Sequence, residues 1–587
     1  MLPDARGRSG VPRIWLGAFI ISSGAAWAQV PAPASFGLTP LGGIPGLPGV
    51  VPPGGVLASP VDGQPASPVG SPGVAPDFAS GIPRRGFDGA PFQPFATGLS
   101  RDEAGPPEVG SRGYTLTPSI AAQVLGTDNI RGVSRGKRGD VITSITPGIL
   151  GTVDTTRLQG VLDFTPTLQI YASDSAQTRV LQRFNGQLLV TVLPQTLFLD
   201  LRGSANTQAA SGGFAPQSSP VLARNNQVQT TAFSVSPYLL QRFGDLAIVQ
   251  LGYAFQSVDQ QTVGSGAPAV APNGQRFFSN QSFIANELFG VARTGQAFGR
   301  LALEARVVST DYDGTGVLRG AYRRQASVEG RYALTSWLAL LGDGGYTSQR
   351  YAGTPGFRLD GPIWGAGFRL TLGQESFVTL RYQRRDGFNA PSADAAISLG
   401  GRTMIYANYL ERLTTGAQRA ADFLTSGNVD ALGNLTDIRT GGPLTQPFAD
   451  SFLGAQSGLR RIRRGAVTIS QAWPRDVLNL TFSSERRRPI STESGIFALA
   501  ESGHSVSFAW SHELTPRMTA TASVQYGRFE RQGLRATDVY GASVTLFRQL
   551  RPQLSGYAQY GLTNRGDGVT GGRAIQNVLL AGIRQTF

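Results

Sequence analysis

The sequence of 587 residues contains no cysteine. Disulfide bonds, thiolate metal ligands and an acylated N-terminal cysteine are therefore excluded, and with the last of these any lipoprotein exporter. Only 15% of the residues are charged, whereas soluble domains carry about 25%. Beyond residue 28 there is no apolar run of roughly 18 residues, the length of a membrane-spanning helix. Low charge without long apolar runs is typical of a membrane β-barrel.

Residues that carry catalytic or metal chemistry are scarce. The only histidines are His504 and His512. Together they could bind a metal, but two isolated histidines on strands or loops are more often solvated. No G-x-S-x-G, H-E-x-x-H or phosphate-binding loop occurs in a suitable strand–helix context. We therefore predict no catalytic, metal-binding or cofactor-binding residue, and a protein that is not an enzyme.

The sequence carries a large excess of positive charge. The formal net charge is +14, and because Lys137 is the single lysine, arginine supplies nearly all of it. Basic chains often bind nucleic acid or anionic surfaces. An exported protein meets little nucleic acid, so lipopolysaccharide, acidic glycans or a pore lumen are the expected partners. The alternative is a scatter of loop arginines without a common ligand.

The first residues predict export. Three arginines within residues 1–13 precede an apolar core at 14–26 and an A-x-A cleavage sequence at 26–28. The core is too short to cross a hydrocarbon layer of about 30 Å as a helix. We predict a signal peptide over 1–28 and a mature chain that begins at Gln29; the alternative is an uncleaved anchor.

Residues 29–113 are rich in proline and glycine and have too few apolar side chains to form a core. Glycine lacks the strict period of three that collagen needs. We predict a disordered linker in the periplasm, either a passive spacer or a docking segment for peptidoglycan or a partner.

From Tyr114 onward the sequence alternates between apolar and polar residues, which predicts half-buried β-strands. A soluble β-sandwich would also alternate, but with more charge and shorter strands. We therefore predict that 114–587 forms an all-β, transmembrane, antiparallel up-and-down barrel of roughly 18 to 22 strands in the outer membrane of a Gram-negative cell. The clearest alternating segments are 162–170, 197–205, 247–255, 301–307, 326–332, 378–382 and 518–526.

Connections of two kinds separate these segments. Short polar turns, such as 242–245 and 515–517, suit the periplasmic side, and longer polar stretches, such as 209–227 and 259–281, suit outside loops. Proline falls inside four apparent strands, where it cannot donate a ladder hydrogen bond. We interpret these prolines as bulges or as points near the membrane rim: Pro118, Pro147, Pro166 and Pro237.

Residues 573–587 form an alternating stretch that closes on Phe587. A terminal aromatic residue of this kind resembles the C-terminal signature that the barrel-assembly machinery reads in bacterial outer-membrane barrels. Gln585 is polar where that pattern prefers an apolar residue. We predict that Phe587 is an assembly signal, although any edge strand can end on phenylalanine.

The segment 409–460 breaks the alternation. Leu410, Leu413, Ala417, Ala421 and Leu424 recur at helical spacing. We predict either a helical hairpin insertion that lies in the lumen or caps one mouth, or a disordered outside loop.

Charged residues within the predicted strands alternate with apolar ones and should face the lumen. They could form a glycan-binding or catalytic cluster, but mutual charge pairing inside the barrel is the simpler interpretation. These candidate residues are Asp163, Asp200, Arg202, Glu304, Arg306, Arg331 and Arg381.

The opening strands resemble a known family, the outer-membrane β-barrels associated with exopolysaccharide and exosortase (PEP-CTERM) loci. In that family an Asp-Asn pair follows the first strand, a strand ending in Pro-Gly comes next, and a strand ending in Tyr follows; here Asp128-Asn129, Pro147-Gly148 and Tyr171 match. LTTGAQRAADFL at 413–424 is similar to the late hairpin extension of the family. The resemblance covers about 114–587 and implies a role in surface polysaccharide production or export, without catalytic residues.

Three functions follow as hypotheses. The first is a conduit or accessory for an acidic surface polysaccharide, attracted by lumen arginines and linked to its export machinery. The second is a porin, general or specific, for small solutes. The third is a surface adhesin or enzyme built on a barrel. A plugged, energy-coupled transporter is disfavoured because 29–113 is too rich in proline and glycine to fold as a plug.

Overall fold

The structure is a computed structural model of the chain. It describes residues 113–210, 226–263, 278–372, 376–400, 402–429, 435–437, 453–496, 498–566 and 572–587. The predicted signal peptide (1–28) and the predicted linker (29–113), apart from its last residue, lie outside the described residues.

The described residues form 26 β-strands and one α-helix of more than one turn. The strands are β1 (Tyr114–Thr127), β2 (Asp140–Asp154), β3 (Leu158–Phe164), β4 (Thr167–Tyr171), β5 (Arg179–Leu181), β6 (Phe184–Leu193), β7 (Leu197–Ala209), β8 (Gln227–Phe243), β9 (Ala247–Thr262), β10 (Gln281–Thr294), β11 (Leu301–Gly314), β12 (Ala321–Ala333), β13 (Leu338–Tyr351), β14 (Phe357–Thr371), β15 (Phe377–Arg385), β16 (Phe388–Leu399), β17 (Thr403–Thr414), β18 (Gly427–Val429), β19 (Leu435–Asp437), β20 (Leu459–Ala472), β21 (Asp476–Ser491), β22 (Glu501–Thr515), β23 (Met518–Arg531), β24 (Thr537–Arg551), β25 (Leu554–Gly566) and β26 (Arg573–Thr586). The helix is α1 (Gly416–Ser426).

Twenty-four of these strands form one continuous antiparallel sheet, and β18 pairs only with β19. β3 and β4 are two halves of one strand, as are β5 and β6, so the sheet is a closed barrel of 22 strands. Closure occurs between β1 and β26, in register from Ser119 opposite Thr586 to Thr127 opposite Val578. The predicted barrel is confirmed, at the upper limit of the predicted strand number.

The Asp-Asn pair that follows β1 ties this seam together. Asp128 accepts hydrogen bonds from the backbone and side-chain nitrogens of Asn577, each at 2.7 Å. The Asn129 side chain is buried and donates to the carbonyl of Ile575 at 3.0 Å. The motif therefore fastens the end of β1 to β26, the last strand of the barrel.

Alternation in the sequence becomes alternation between two faces of the barrel wall. On β24, Tyr540, Val544 and Leu546 are exposed on the outer face, whereas Val539 and Ser543 are buried on the inner face. Aromatic residues mark both edges of the outer apolar belt, as membrane interfaces favour. Trp337 and Trp473 lie at one edge and Tyr526 and Tyr540 near the other.

The two ends of the barrel differ in their connections. At one end, short turns such as 244–246 and 516–517 join consecutive strands, and this end also holds the start of β1 and the end of β26. At the other end most connections are longer, the longest being 415–458, although only residues 386–387 join β15 to β16. Short turns are periplasmic in barrels of this type, so the end with the longer connections is extracellular.

The four strand prolines lie where the hydrogen-bond ladder stops or breaks. Pro118 directly precedes the first residue of β1 that pairs with β26. Pro147 lies where β2 changes partner from β4 to β3, and Pro166 lies in the gap between those two segments. Pro237 lies in a break in the β8–β9 pairing. Each proline therefore avoids a position where a ladder donor is needed.

Within the described part of the chain, no helix has the length and apolarity needed to span a membrane. The segment 409–460 is not one unit, because its first residues complete β17, which runs to Thr414. The chain then turns inward as α1.

Candidate functional site

The predicted lumen charges lie on the inner face of the wall. Asp200, Arg202, Glu304, Arg306 and Arg331 are each buried, on strands whose alternate residues are mainly apolar and are half-buried on β7 and exposed on β11 and β12. Arg381 and Asp163 are half-buried on the same face. Asp163 lies near Arg584 and apart from the other candidates. The structure therefore brings together only some of the seven.

Five of them contribute to ion pairs inside the wall, and three of these belong to one group on β10 to β15. Glu304 accepts from Arg293 at 2.9 Å and from Arg306 at 2.6 Å, and Glu329 accepts from Arg381 at 2.6 Å. We call these five residues the periplasmic-side cluster, because Glu304 lies three residues from the periplasmic start of β11. Arg202 pairs with Asp200 elsewhere, at 3.1 Å.

A second group lies on β20 to β23, near the extracellular end. Its two carboxylates are Glu485 and Glu501. Glu485 is within 2.6 Å of Arg487 and 3.5 Å of Arg464, and Glu501 is within 2.8 Å of Arg531 and 3.4 Å of Arg460. We call Arg460, Arg464, Glu485, Arg487, Glu501 and Arg531 the extracellular-side cluster.

The extracellular-side cluster holds more arginine than carboxylate. Its four arginines share two glutamates, and Arg419 of α1 adds a fifth cation at 3.1 Å from Glu485. Arg487 has a fully buried side chain and also donates to the carbonyl of Gly454 at 2.9 Å. Buried charge is costly unless it is paired and hydrogen-bonded. The surplus positive charge is therefore held in place by a dense set of contacts.

Sequence reasoning missed this cluster. The signal was present in LRRIRR at 459–464 and SERRR at 484–488, where arginine and glutamate recur on alternate residues of neighbouring strands. The register that joins these runs places Arg464 opposite Glu485 and Arg487 opposite Glu501. Strand pairing, which a single sequence does not state, was needed to see that the charges meet.

The helix α1 begins with a reciprocal cap. The Thr415 hydroxyl accepts the Gln418 N–H at 3.1 Å, and the Gln418 side-chain oxygen accepts the Thr415 N–H at 3.1 Å. This arrangement is a capping box, which satisfies two backbone donors that would otherwise lack partners. The Gln418 side chain also donates to the Tyr351 hydroxyl at 3.2 Å, so the cap is attached to β13.

An apolar face of α1 packs across the lumen. The helix leaves the wall between β17 and β20 but contacts β7 to β10, and six strands separate β10 from β17. The alanines at one side of the helix and Leu424 belong to a buried cluster with inward-facing residues of the opposite wall. Its central members are Ala417, Ala420, Ala421, Leu424, Ala232, Val258, Phe283 and Ala285.

Two arginine contacts hold α1 in this position. Arg202 of β7 donates to the carbonyl of Leu424 at 2.6 Å, which satisfies an acceptor at the helix C-terminus. Arg419 reaches Glu485 on the other wall. Burial lowers the pKa of the Arg419 guanidinium to about 9, against the opposing effect of Glu485, so Arg419 remains a cation at neutral pH.

The depth of the helix follows from strand register. Arg202 neighbours the pair Gly203–Phe233, and Phe233 is exposed on the outer, lipid-facing side. The C-terminal end of α1 therefore lies within the membrane depth, inside the lumen and not above its mouth. Any solute that moves through the barrel must pass this helix.

The remaining sequence candidates lie outside the lumen. His504 is exposed, and His512 lies 2.8 Å from Asp476 on the outer face near the periplasmic edge. Phe587 is exposed, and its backbone N–H donates to the carbonyl of Pro118 at 2.9 Å. Its part in assembly stays a prediction.

A closed barrel with an apolar outer belt, aromatic edges and a polar interior defines an outer-membrane β-barrel protein. No protein-family model matches the sequence. No curated protein matches it either.

Solved structures with a similar arrangement were found at low sequence identity. The ferric-catecholate import receptor Fiu from E. coli K12 is 10% identical, with 80% of this chain and 81% of that chain covered and a TM-score of 0.45. The siderophore receptor PirA from Acinetobacter baumannii is 8% identical over 80% of both chains, with a TM-score of 0.45. The FrpB iron transporter from Neisseria meningitidis is 8% identical, with 80% and 82% covered and a TM-score of 0.45.

Proposed function

We propose that this barrel serves as a conduit or accessory in the production or export of an acidic surface polysaccharide, and that it belongs to the exopolysaccharide- and exosortase-associated barrels it resembles. The observation that carries the proposal is the extracellular-side cluster, where arginines outnumber glutamates on the lumen wall. Arginine keeps its charge at any physiological pH and binds carboxylates through paired N–H groups.

The cluster acts mainly through its field. Charges of one sign on the walls of a cleft raise the local concentration of ligands of the other sign. An acidic glycan would be drawn to the extracellular half of the lumen without a tight binding site. Passage of a polymer then requires α1 to leave its place against β7 to β10, because the helix lies across the path.

The test is genetic and has a matched control. Deletion of the gene should lower the yield of surface glycan or change its composition, and the wild-type gene should restore both. A variant with Arg460→Gln and Arg464→Gln removes two lumen charges and should restore less surface glycan to the deletion strain than the wild-type gene does. A variant with Arg324→Gln and Arg350→Gln removes two exposed charges from the outer face of β12 and β13 and should restore fully. Unchanged glycan after deletion would contradict the proposal.

A second function, a porin for small solutes, is favoured by the position of α1. A helix inside the lumen narrows the path and suits a small anion better than a polymer. Single-channel recordings separate the two functions. A steady conductance that small acidic sugars block favours the porin, and a closed lumen that opens only when α1 is displaced favours the conduit.

A further inference from the structure

Four arginines form a compact block on the outer face of the barrel. Arg461 and Arg463 of β20 lie directly opposite Arg488 and Arg486 of β21, respectively. Arg461 and Arg463 lie an even number of residues from Val467 on β20, and Arg486 and Arg488 an even number from Phe482 on β21. Val467 and Phe482 are exposed on the lipid-facing side, so the four arginines point to that side as well. We call these four residues the outer arginine block; they are distinct from the inward-facing Arg460, Arg464 and Arg487.

The block places like charges in the closest positions that a sheet allows. Residues directly opposite on antiparallel strands have Cβ atoms about 5 Å apart, and like charges there are destabilising. Glu411 accepts from Arg463 at 2.7 Å and also contacts Arg461. Among the described residues, no acidic side chain pairs with Arg486 or Arg488, which are both exposed. One carboxylate therefore faces four guanidinium groups.

The depth of the block indicates what could balance this charge. Arg486 lies four residues beyond Phe482 toward the extracellular end, a rise of about 13 Å along the strand. Val467 on β20 and Val506 on β22 end the apolar belt at the same level. The block therefore lies just outside the hydrocarbon layer, at the level of lipid headgroups of the outer leaflet.

We propose that the outer arginine block binds the phosphate groups of lipopolysaccharide in the outer leaflet. Arginine pairs with phosphate through two parallel hydrogen bonds, and a phosphate between opposed arginines replaces their repulsion by attraction. The block is confined to β20 and β21, because Ser502 and Glu530 continue the level of Arg486 on β22 and β23, and Glu530 pairs with Arg528 at 2.9 Å. The apolar belt below the block would contact the acyl chains. This site lies on the opposite face of the wall from the proposed glycan path and does not depend on it.

The test uses the full-length protein in detergent with purified lipopolysaccharide as the probe. Binding is measured by native mass spectrometry and by titration. The variant with Arg486→Gln and Arg488→Gln should bind about thirtyfold more weakly than the wild type, from the contribution of surface arginines to anionic-lipid binding. The matched control, Arg548→Gln with Arg551→Gln, removes two exposed arginines from the periplasmic end of β24, away from the outer leaflet. It should bind like the wild type.

A second arm tests the chemistry of the ligand. Dephosphorylated lipopolysaccharide should bind wild type as weakly as the intact form binds the variant. The proposal is overturned if the variant keeps wild-type affinity, if removal of phosphate has no effect, or if both double variants lose affinity equally. It is also overturned if the variant with Arg486→Gln and Arg488→Gln binds soluble polygalacturonate more weakly than the wild type does but binds lipopolysaccharide with unchanged affinity. Retained heat-modifiable migration on gels shows that each variant is folded.

Discussion

Replacement of Glu485 by glutamine tests how α1 is held inside the barrel. Glu485 is the carboxylate shared by Arg487 and Arg464 on the wall and Arg419 on the helix. Glutamine keeps the size of the side chain but removes its charge. The three largely buried guanidinium groups then repel one another, and only Arg419 can move away, because it is carried by α1.

The expected magnitude follows from the contacts. Loss of one charge of a buried pair costs about 3 to 5 kcal/mol when the partner stays buried. Here the helix can relax, so the docking of α1 should weaken by about 2 kcal/mol, the contribution of a hydrogen bond between charged groups. That change raises the undocked population about thirtyfold.

A single cysteine makes this population measurable. The chain has no natural cysteine, so Ala421→Cys places one thiol on the buried face of α1. Maleimide labelling of this thiol should be slow in the otherwise wild-type protein and about thirtyfold faster with Glu485→Gln, under conditions where labelling follows the open population. Glu304→Gln, which removes a carboxylate of the periplasmic-side cluster, should leave the labelling rate unchanged.

The reasoning is refuted if Glu485→Gln labels no faster than Glu304→Gln. A double-mutant cycle with Arg419→Gln adds a second check. If the two side chains act through one contact, the double variant should label about as fast as either single variant. Additive effects would show that Glu485 and Arg419 act independently.

Three further predictions concern other contacts. Arg202→Ala leaves the Leu424 carbonyl without its donor and should weaken docking of α1 by about 1 to 3 kcal/mol. The same labelling assay measures this change, and an unchanged labelling rate would show that Arg202 does not hold α1 in place. Thr415→Ala breaks the capping box and should cost about 1 kcal/mol in docking, with Thr415→Ser close to wild type; equal loss in both would point to another cause. Deletion of Phe587 should lower the fraction of heat-modifiable, folded barrel in the outer membrane, and Phe587→Tyr should not; normal folding after deletion would contradict its role as an assembly signal.

The periodicity of the sequence was sufficient to predict the strands of the barrel wall, but not the contacts inside the lumen. Runs such as 247–255 and 518–526 lie in β9 and β23 because the lipid-facing side must be apolar at every second residue, which is a local requirement. The spacing of Ala417, Ala421 and Leu424 likewise indicated a helix. Where that helix docks depends on Val258 and Phe283, more than a hundred residues away, and no local pattern encodes that contact.

The candidate site shows the same limit. Glu304 and Arg306 alternate within one strand and could be found by parity alone. The extracellular-side cluster joins β20, β21, β22 and β23 through their register, and α1 completes it from the other side of the lumen. The odd or even position of a residue along its strand shows which face of the wall it lies on. Only the pairing between strands shows which residues lie beside it.

Ion selectivity of the lumen without its helix tests the central claim most directly. Thr414 and Arg460 are paired neighbours, so residues 416–457 can be replaced by a short glycine–serine turn without a change in the β17–β20 register. In planar bilayers under a KCl gradient, the shortened protein should show a large conductance with a reversal potential on the chloride side, and the full-length protein should show little. Equal conductance in the two proteins, or selectivity for potassium, would contradict a lumen that is lined by surplus arginine and crossed by α1.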